Sequence, residues 1–281
     1  MKPGRESQTA VMVAAARAAA HGRTTGVDFD DPTALALLPD DARRRVEEFR
    51  AGVVPKDARG RVARAFLDRR AKMMVARTVA IDEAVRAPGA PQVVILGAGL
   101  DGRAWRMAEL RDVTVFEVDH PDSQREKQAR AAGLTRMARE VRFVPVDFAR
   151  DRLDDALAAA GHDPARATTW VWEGVVMYLE QSELEAALAV IQRRSAPGSR
   201  LVVMYLSRSL LLPLIAFLVR RVGEPLRSLF TPDQMRALLA RYGLTVARDE
   251  GLPAIAARLS PELARDTRVM RHMRIATATP A

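Results

Sequence analysis

Apolar residues recur every three or four positions through most of residues 1–90, then fall into short unbroken runs separated by helix-like stretches. A repeat near 3.6 predicts helices, and short apolar runs bounded by turn residues predict buried strands. The clearest helical stretch is RVARAFLDRRAKMMVARTVAIDEAVRA, residues 61–87, with Val62, Phe66, Met73, Met74, Ile81 and Val85 on the repeat. Pro88, Gly89 and Pro91 end it. Upstream, DDPTALALLPDDARRRVEEFR (30–50) reads as short helices punctuated by Asp and Pro. The first residues, MKPGRESQTAVMVAAARAAA, pair a charged start with alanines, as signal peptides do. Arg17 interrupts the apolar part and no clear cleavage site follows, so an amphipathic helix capped near Ser7 or Thr9 is expected instead.

From residue 92 the period changes. Strands are predicted at 92–97, 113–119, 141–147, 169–173, 200–206, 243–248 and 268–276, with helices at 102–110, 121–139, 151–160, 181–195 and 231–242. SAPGSR closes one helix, and Thr231 with Pro232 opens the next. Alternation of this kind predicts an α/β fold, with a parallel sheet and helices on both faces. The expected organisation is a helical cover over 1–90 and a ligand-binding core over 91–281. Segment 207–230 is too long for an ordinary connection and is expected to be a lid. Its most apolar part, LLLPLIAFLV (210–219), has ten residues and contains Pro213. A bilayer crossing needs about twenty, so no stable membrane insertion is expected.

Composition narrows the chemistry. The chain has 281 residues and no cysteine, which excludes disulfides, thiolate metal sites and cysteine nucleophiles. A cytoplasmic protein is expected. The net charge of +9 invites a nucleic-acid reading. The bases, however, are 40 Arg against 4 Lys, scattered along the chain and often close to a carboxylate. Together with abundant alanine, this reads as a GC-rich coding bias, and no nucleic-acid partner is expected.

Ligands of such sheets bind beyond the C-terminal ends of the strands. The first strand ends in Gly97-Ala98-Gly99-Leu100-Asp101-Gly102, where glycine permits a sharp turn and close approach to a ligand. The second ends in Asp119, 22 residues after Gly97, placed to accept the hydroxyls of a ribose. Glu117 lies on the same strand face and is expected to point to the same site. The third ends in Asp147-Phe148, an acid and an aromatic suited to adenine, and the fourth in Glu173. A buried Glu173 needs a partner, either a cationic ligand or an arginine from the helical region. Four strand ends thus carry a glycine turn and three acids. A pyrophosphate wants backbone amides and no crowd of carboxylates. S-adenosyl-L-methionine carries a sulfonium, an ammonium, a diol and an amine, and no phosphate. Asp101 suits its ammonium end. The charge pattern favours that cofactor over a nicotinamide dinucleotide.

These motifs are also familiar as a set. VVILGAGLDGRAWRM, FEVDHP, VPVDF and WEGVVMYL resemble the leucine carboxyl methyltransferase family of class I methyltransferases, in its bacterial branch with carboxyl O-methyltransferases of polyketide biosynthesis. TAVMVAAARA, DFDDPTA, ARTVAIDEAV and GEPLRSLFTPDQMRALLARYGLTV extend the likeness over roughly residues 8–252. The resemblance implies a seven-stranded Rossmann-like sheet with a helical cover and a lid. It places Arg77 at the cofactor's methionine carboxylate, Gly97 and Gly99 in the turn, Asp119 at the ribose, Asp147 and Phe148 at the adenine and Glu173 after strand four. A basic residue of the family falls on Arg17. Family members often carry Thr where this chain has Gly102, which predicts a more flexible turn here.

A carboxylate acceptor is ionised at neutral pH and needs no general base, so alignment and desolvation suffice. Arg77 and Tyr178 are the expected acceptor-orienting residues, with Tyr205 a third candidate. The expected partner is a small hydrophobic carboxylate, and a homo-oligomer is compatible with the sequence. A hydroxyl or amine acceptor would need a base. His21, His120, His162 and His272 are dispersed, and His120 is expected to cap a helix. There is no Pro-Pro-aromatic motif of the kind that serves flipped bases.

Overall fold

The computed structural model describes residues 7–23, 27, 29–87, 89–148, 150–208 and 226–281. Most of the expected lid lies outside the described residues, with only 207–208 and 226–230 inside them.

Four helices come first: α1 (Gln8–Ala20), α2 (Thr33–Ala36), α3 (Asp40–Arg50) and α4 (Ala58–Arg86). Ser7 caps α1, its side chain accepting from the Ala10 amide at 3.2 Å, and Asp57 caps α4 through the Gly60 amide at 2.8 Å. Alternation follows, with β1 (Gln92–Leu96), α5 (Arg103–Arg106), β2 (Thr114–Asp119), α6 (Pro121–Ala131), β3 (Glu140–Pro145), α7 (Leu153–Ala159), β4 (Thr168–Trp172), α8 (Gln181–Arg193) and β5 (Arg200–Leu206). The chain closes with α9 (Pro232–Arg241), β6 (Leu244–Gly251), α10 (Leu252–Leu259), α11 (Pro261–Thr267) and β7 (Met273–Pro280).

The strands form one seven-stranded sheet in the order β3-β2-β1-β4-β5-β7-β6. β7 runs antiparallel to β5 and β6, and the other neighbours are parallel. The reversal after β1 makes a crevice at the carboxyl ends of β1 and β4. Every residue of β1 and β4 is buried, as expected of central parallel strands covered on both faces.

Two apolar clusters sandwich the sheet. On one face, Val93, Ile95, Val115, Val171 and Met204 pack with Val75 and Val79 of α4, Ala14 and Ala18 of α1, and Ile255 of α10. On the other, Leu96, Phe116, Trp170, Trp172 and Tyr205 pack with Leu157, Leu188 and Leu238. Full burial of each such side chain stabilises by about 1.5–3 kcal/mol.

Three expectations need correction. The predicted helix 121–139 stops at Ala131, with Gly133 just beyond. The predicted strand 268–276 is shifted to Met273–Pro280, and α10 and α11 occupy the chain before it. Val62 and Phe66, placed on the apolar repeat of α4, are 70% and 52% exposed.

Candidate cofactor-binding site

The crevice begins at the turn after β1. Gly97 and Gly99 have φ of +69° and +48°, the left-handed region in which a side chain is strained. Space forbids one as well. A Cβ at Gly97 would lie 2.2 Å from Val175 Cγ2, and one at Gly99 would lie 2.9 Å from Ala10 Cβ. The amides of Gly97 and Ala98 donate to the Val118 carbonyl at 2.8 and 3.0 Å, fastening the turn to the end of β2.

Asp119 closes that end. Its carboxylate accepts from the Gly99 amide and from the His120 amide, the latter at 2.6 Å. Burial raises its pKa above the ordinary value, against these two amides. A carboxylate has about four acceptor positions, so two remain for a further donor. The Val146 amide donates to the Asp119 carbonyl at 2.9 Å, and so sets Asp147 and Phe148 beside Asp119. Asp147 lies 3.7 Å from Arg150, and Phe148 packs against the second apolar cluster.

Glu173 follows β4. Arg77 Nε donates to its Oε1 at 2.6 Å, and Arg103 Nη1 to its Oε2 at 3.0 Å. Arg103 also donates to Asp101, and through Nε to Asp82 at 2.7 Å. Arg106 meets Asp82 at 2.7 Å and Asp31 at 3.6 Å. Arg17 reaches Asp31 at 2.9 Å and donates to the Leu100 carbonyl. Four acids and four arginines thus alternate beneath the glycine turn. Burial alone would push Asp101 and Glu173 up. The Arg103 guanidinium outweighs it at Asp101, and Arg77 with Arg103 does so at Glu173, so both carboxyls lie below their usual range. Removing one member of such a network strands a buried charge.

The structure therefore brings Arg17, Arg77, Gly97, Gly99, Asp101, Asp119 and Glu173 to one crevice, with Asp147 and Phe148 at its β3 edge. Tyr178 ends a 3-10 turn, Val176–Tyr178, just after Glu173, and packs half-buried on the first apolar cluster. Two expectations are overturned. Tyr205 is fully buried on the opposite sheet face, where its hydroxyl donates to Asp249 at 2.7 Å and accepts from Arg274 at 3.1 Å. It orients no acceptor in this crevice. Glu117 does not reach the open site either; it is sealed in the core 2.6 Å from Lys127. Sequence reasoning also missed Asp31, Asp82, Arg103 and Arg106. Pairings such as Arg103 with Asp82, 21 residues away, and with Glu173, 70 away, left no local signal, since each looks like an ordinary charged residue.

Gly102 packs against α2. A Cβ there would lie 2.0 Å from Thr33 Oγ1, which itself donates to Asp31 at 2.8 Å. The space of a side chain at 102 is filled from α2. Gly102 has an ordinary φ of −105° and a filled neighbourhood.

These residues fit S-adenosyl-L-methionine. Asp119 has acceptor capacity to spare for a diol, and Arg77 can present Nη atoms to a carboxylate while Nε is held by Glu173. Fold and site together define a class I methyltransferase, whose cofactor is S-adenosyl-L-methionine. The chain belongs to the leucine carboxyl methyltransferase family, whose profile matches residues 10–192.

A Streptomyces coelicolor protein provisionally named an S-adenosyl-L-methionine-dependent methyltransferase is 37% identical over 225 residues, 72% of this chain and 70% of that one. A Mycolicibacterium vanbaalenii protein of the same provisional name is 38% identical over 205 residues, 69% of this chain and 66% of that one. A Parafrankia relative is 39% identical over 155 residues, 54% and 49% of the two chains. The match thus spans between half and 70% of the length of these relatives. Among solved structures, a Thermobifida fusca protein provisionally named a methyltransferase aligns with a TM-score of 0.60 at 14% identity, over 99% of this chain and 96% of that one. A DUF574-family protein of Streptomyces avermitilis aligns at 0.59 and 13% identity, over 98% of each chain. At these identities both speak to fold alone.

Proposed function

We propose that this chain methylates a carboxylate oxygen of a small hydrophobic molecule. When bound, S-adenosyl-L-methionine supplies an activated methyl group on a sulfonium, and the carbon–sulfur electron pair leaves with sulfur as the ester oxygen–carbon bond forms. Asp119 holds the ribose diol, and Asp147 with Phe148 meets the adenine. Arg77, steadied by Glu173, holds the methionine carboxylate. Tyr178 faces the acceptor, and Val175 packs on the glycine turn beside it.

The observation that carries this reading is where the four histidines are spent. His21 is 2.6 Å from Asp30, and His120 caps α6 by accepting from the Asp122 amide at 3.2 Å. His162 contacts Thr168 at 3.0 Å, between Phe116 and Trp170, where burial lowers its pKa to about 4. His272 is buried and likewise lowered. Such a site suits an acceptor already ionised at neutral pH. The apolar run 210–219 supports a hydrophobic one. A small-molecule acceptor in the cytoplasm, with no nucleic-acid partner, completes the reading.

The test uses S-adenosyl-L-methionine labelled in the methyl group, with octanoate and benzoate as acceptors. Label that mild alkali releases as methanol is expected, because esters hydrolyse. Alkali-stable label, from an ether or an amine, would overturn the proposal.

A further inference from the structure

Lys127 of α6 is buried as deeply as the apolar core, and so is its partner, Glu117 of β2. Lysine is rarely sealed in this way. The two charges stand 2.6 Å apart, yet neither Lys127 Nζ nor either Glu117 oxygen finds a well-aligned hydrogen-bond partner among the described residues. The contact is one of charge alone, and two apolar side chains would serve a core better. What the pair can supply is a fixed geometry between α6 and β2.

That geometry leads to the strand-end acid. Glu117 and Asp119 lie two residues apart on one face of β2, about 7 Å along the strand. Helix α6 starts directly after Asp119, and the amide of its cap, His120, donates to the Asp119 carboxylate at 2.6 Å. Lys127 returns to the strand from about two turns further along α6. Between them Gln124 donates to the Glu117 carbonyl at 2.6 Å and to the Val144 carbonyl at 3.0 Å. The helix is thus fastened to the sheet at three levels. Lys127 Nζ also lies 5.1 Å from the centroid of the Trp105 ring on α5. Helix α5 follows the glycine turn, whose Gly99 amide is the second donor to Asp119. Both amides that hold Asp119 therefore sit just ahead of a helix that meets Lys127. Its charge also favours the ionised form of Asp119.

We propose that Lys127, through its pairing with Glu117, is a positioning residue that aims the free acceptor positions of Asp119 at the ribose diol of the cofactor. Sealed from solvent, it acts on the ligand through Asp119. The inference rests on the assignment of Asp119 to the ribose above.

The test is calorimetric titration of the full chain with S-adenosylhomocysteine and with its 2′-deoxy analogue. The ratio of the two dissociation constants reads how well the diol is held. Wild type should prefer the full ribose about tenfold to a hundredfold. Lys127→Met should reduce that preference to less than about threefold. Glu117→Leu combined with Lys127→Met replaces the pair by apolar side chains and should show the same loss. This double variant decides the matter where the single one does not fold. A role in packing alone predicts that affinity for both ligands falls together while the preference stays, or that the double variant regains it. Either result would overturn the proposal. Asp119→Ala separates the two readings. If wild type lacks the preference, or Asp119→Ala keeps it, the ribose assignment falls and the positioning role with it. If Asp119→Ala loses the preference and the Lys127 variants keep it, the assignment stands and the positioning role alone falls.

Discussion

Glu117 shows how far a single residue can depart from its apparent role. On the strand it stands two positions before Asp119, on the same face, yet it is sealed in the core against Lys127. Burial pushes its carboxyl from 4.5 up to about 7, and Lys127 opposes the shift. A carboxyl with a raised folded pKa favours the folded state at low pH. That contribution fades as pH rises through the window from 4.5 to about 7. The stability of wild type minus that of Glu117→Gln should therefore fall by about 1–3 kcal/mol between pH 5 and pH 7.5. Urea unfolding at both pH values measures it, and a flat or rising difference would contradict the assignment. Tyr205 gives a second residue-scale expectation. Its hydroxyl serves Asp249 and Arg274, so Tyr205→Phe should cost about 1–3 kcal/mol of stability. The same variant should leave octanoate binding unchanged, and a weakened octanoate titration would return Tyr205 to the acceptor site.

Among the elements, the turn after β1 and helix α2 act as one unit. Thr33 stands in the space a side chain at Gly102 would need. Gly102→Ala should destabilise by about 1–3 kcal/mol, because its Cβ would overlap Thr33 Oγ1 rather than strain the backbone. Adding Thr33→Gly should recover part of that loss. Thermal melts of the single and double variants decide it, and additive losses would place the cost elsewhere. At this scale the sequence was most readable. The strand, glycine turn, acid order from Gln92 to Asp119 follows from local chemistry, because apolar runs, left-handed glycines and a terminal carboxylate each carry their own signal. Ser7 and Thr231 marked helix starts for the same reason. The signals at 252–267 were equally present, with Pro253 in one first turn and Ser260-Pro261 opening the next helix. They went unread beside the stronger strand pattern that follows.

Across the whole molecule, the ion network fastens the helical cover to the sheet, and this was least readable. Arg103 joins α4 through Asp82, its own turn through Asp101, and β4 through Glu173. With 40 arginines in the chain, nothing local separates a buried one from a solvated one. The distinction lies in carboxylates 21 and 70 residues away. Of the two partners the sequence allows Glu173, a cationic ligand or an arginine of the helical region, the fold supplies the arginine, Arg77 of α4. Arg103→Met strands Asp101 and takes one of two arginines from Asp82 and Glu173, which keep Arg106 and Arg77, and should cost about 3–5 kcal/mol, a large part of the stability of such a chain. Urea unfolding checks it, and a loss below about 1 kcal/mol would show that the network is not coupled.

Asp119 is held by the amides of Gly99 and His120 and not by an arginine of the network, and the account of cofactor binding depends on it most directly. Calorimetric titration with S-adenosylhomocysteine, comparing wild type with Asp119→Ala, tests this. Saturable one-to-one binding is expected, weakened by about 2–3 kcal/mol in the variant. Equal affinity in the two proteins, or no binding to the wild type at millimolar ligand, would contradict it.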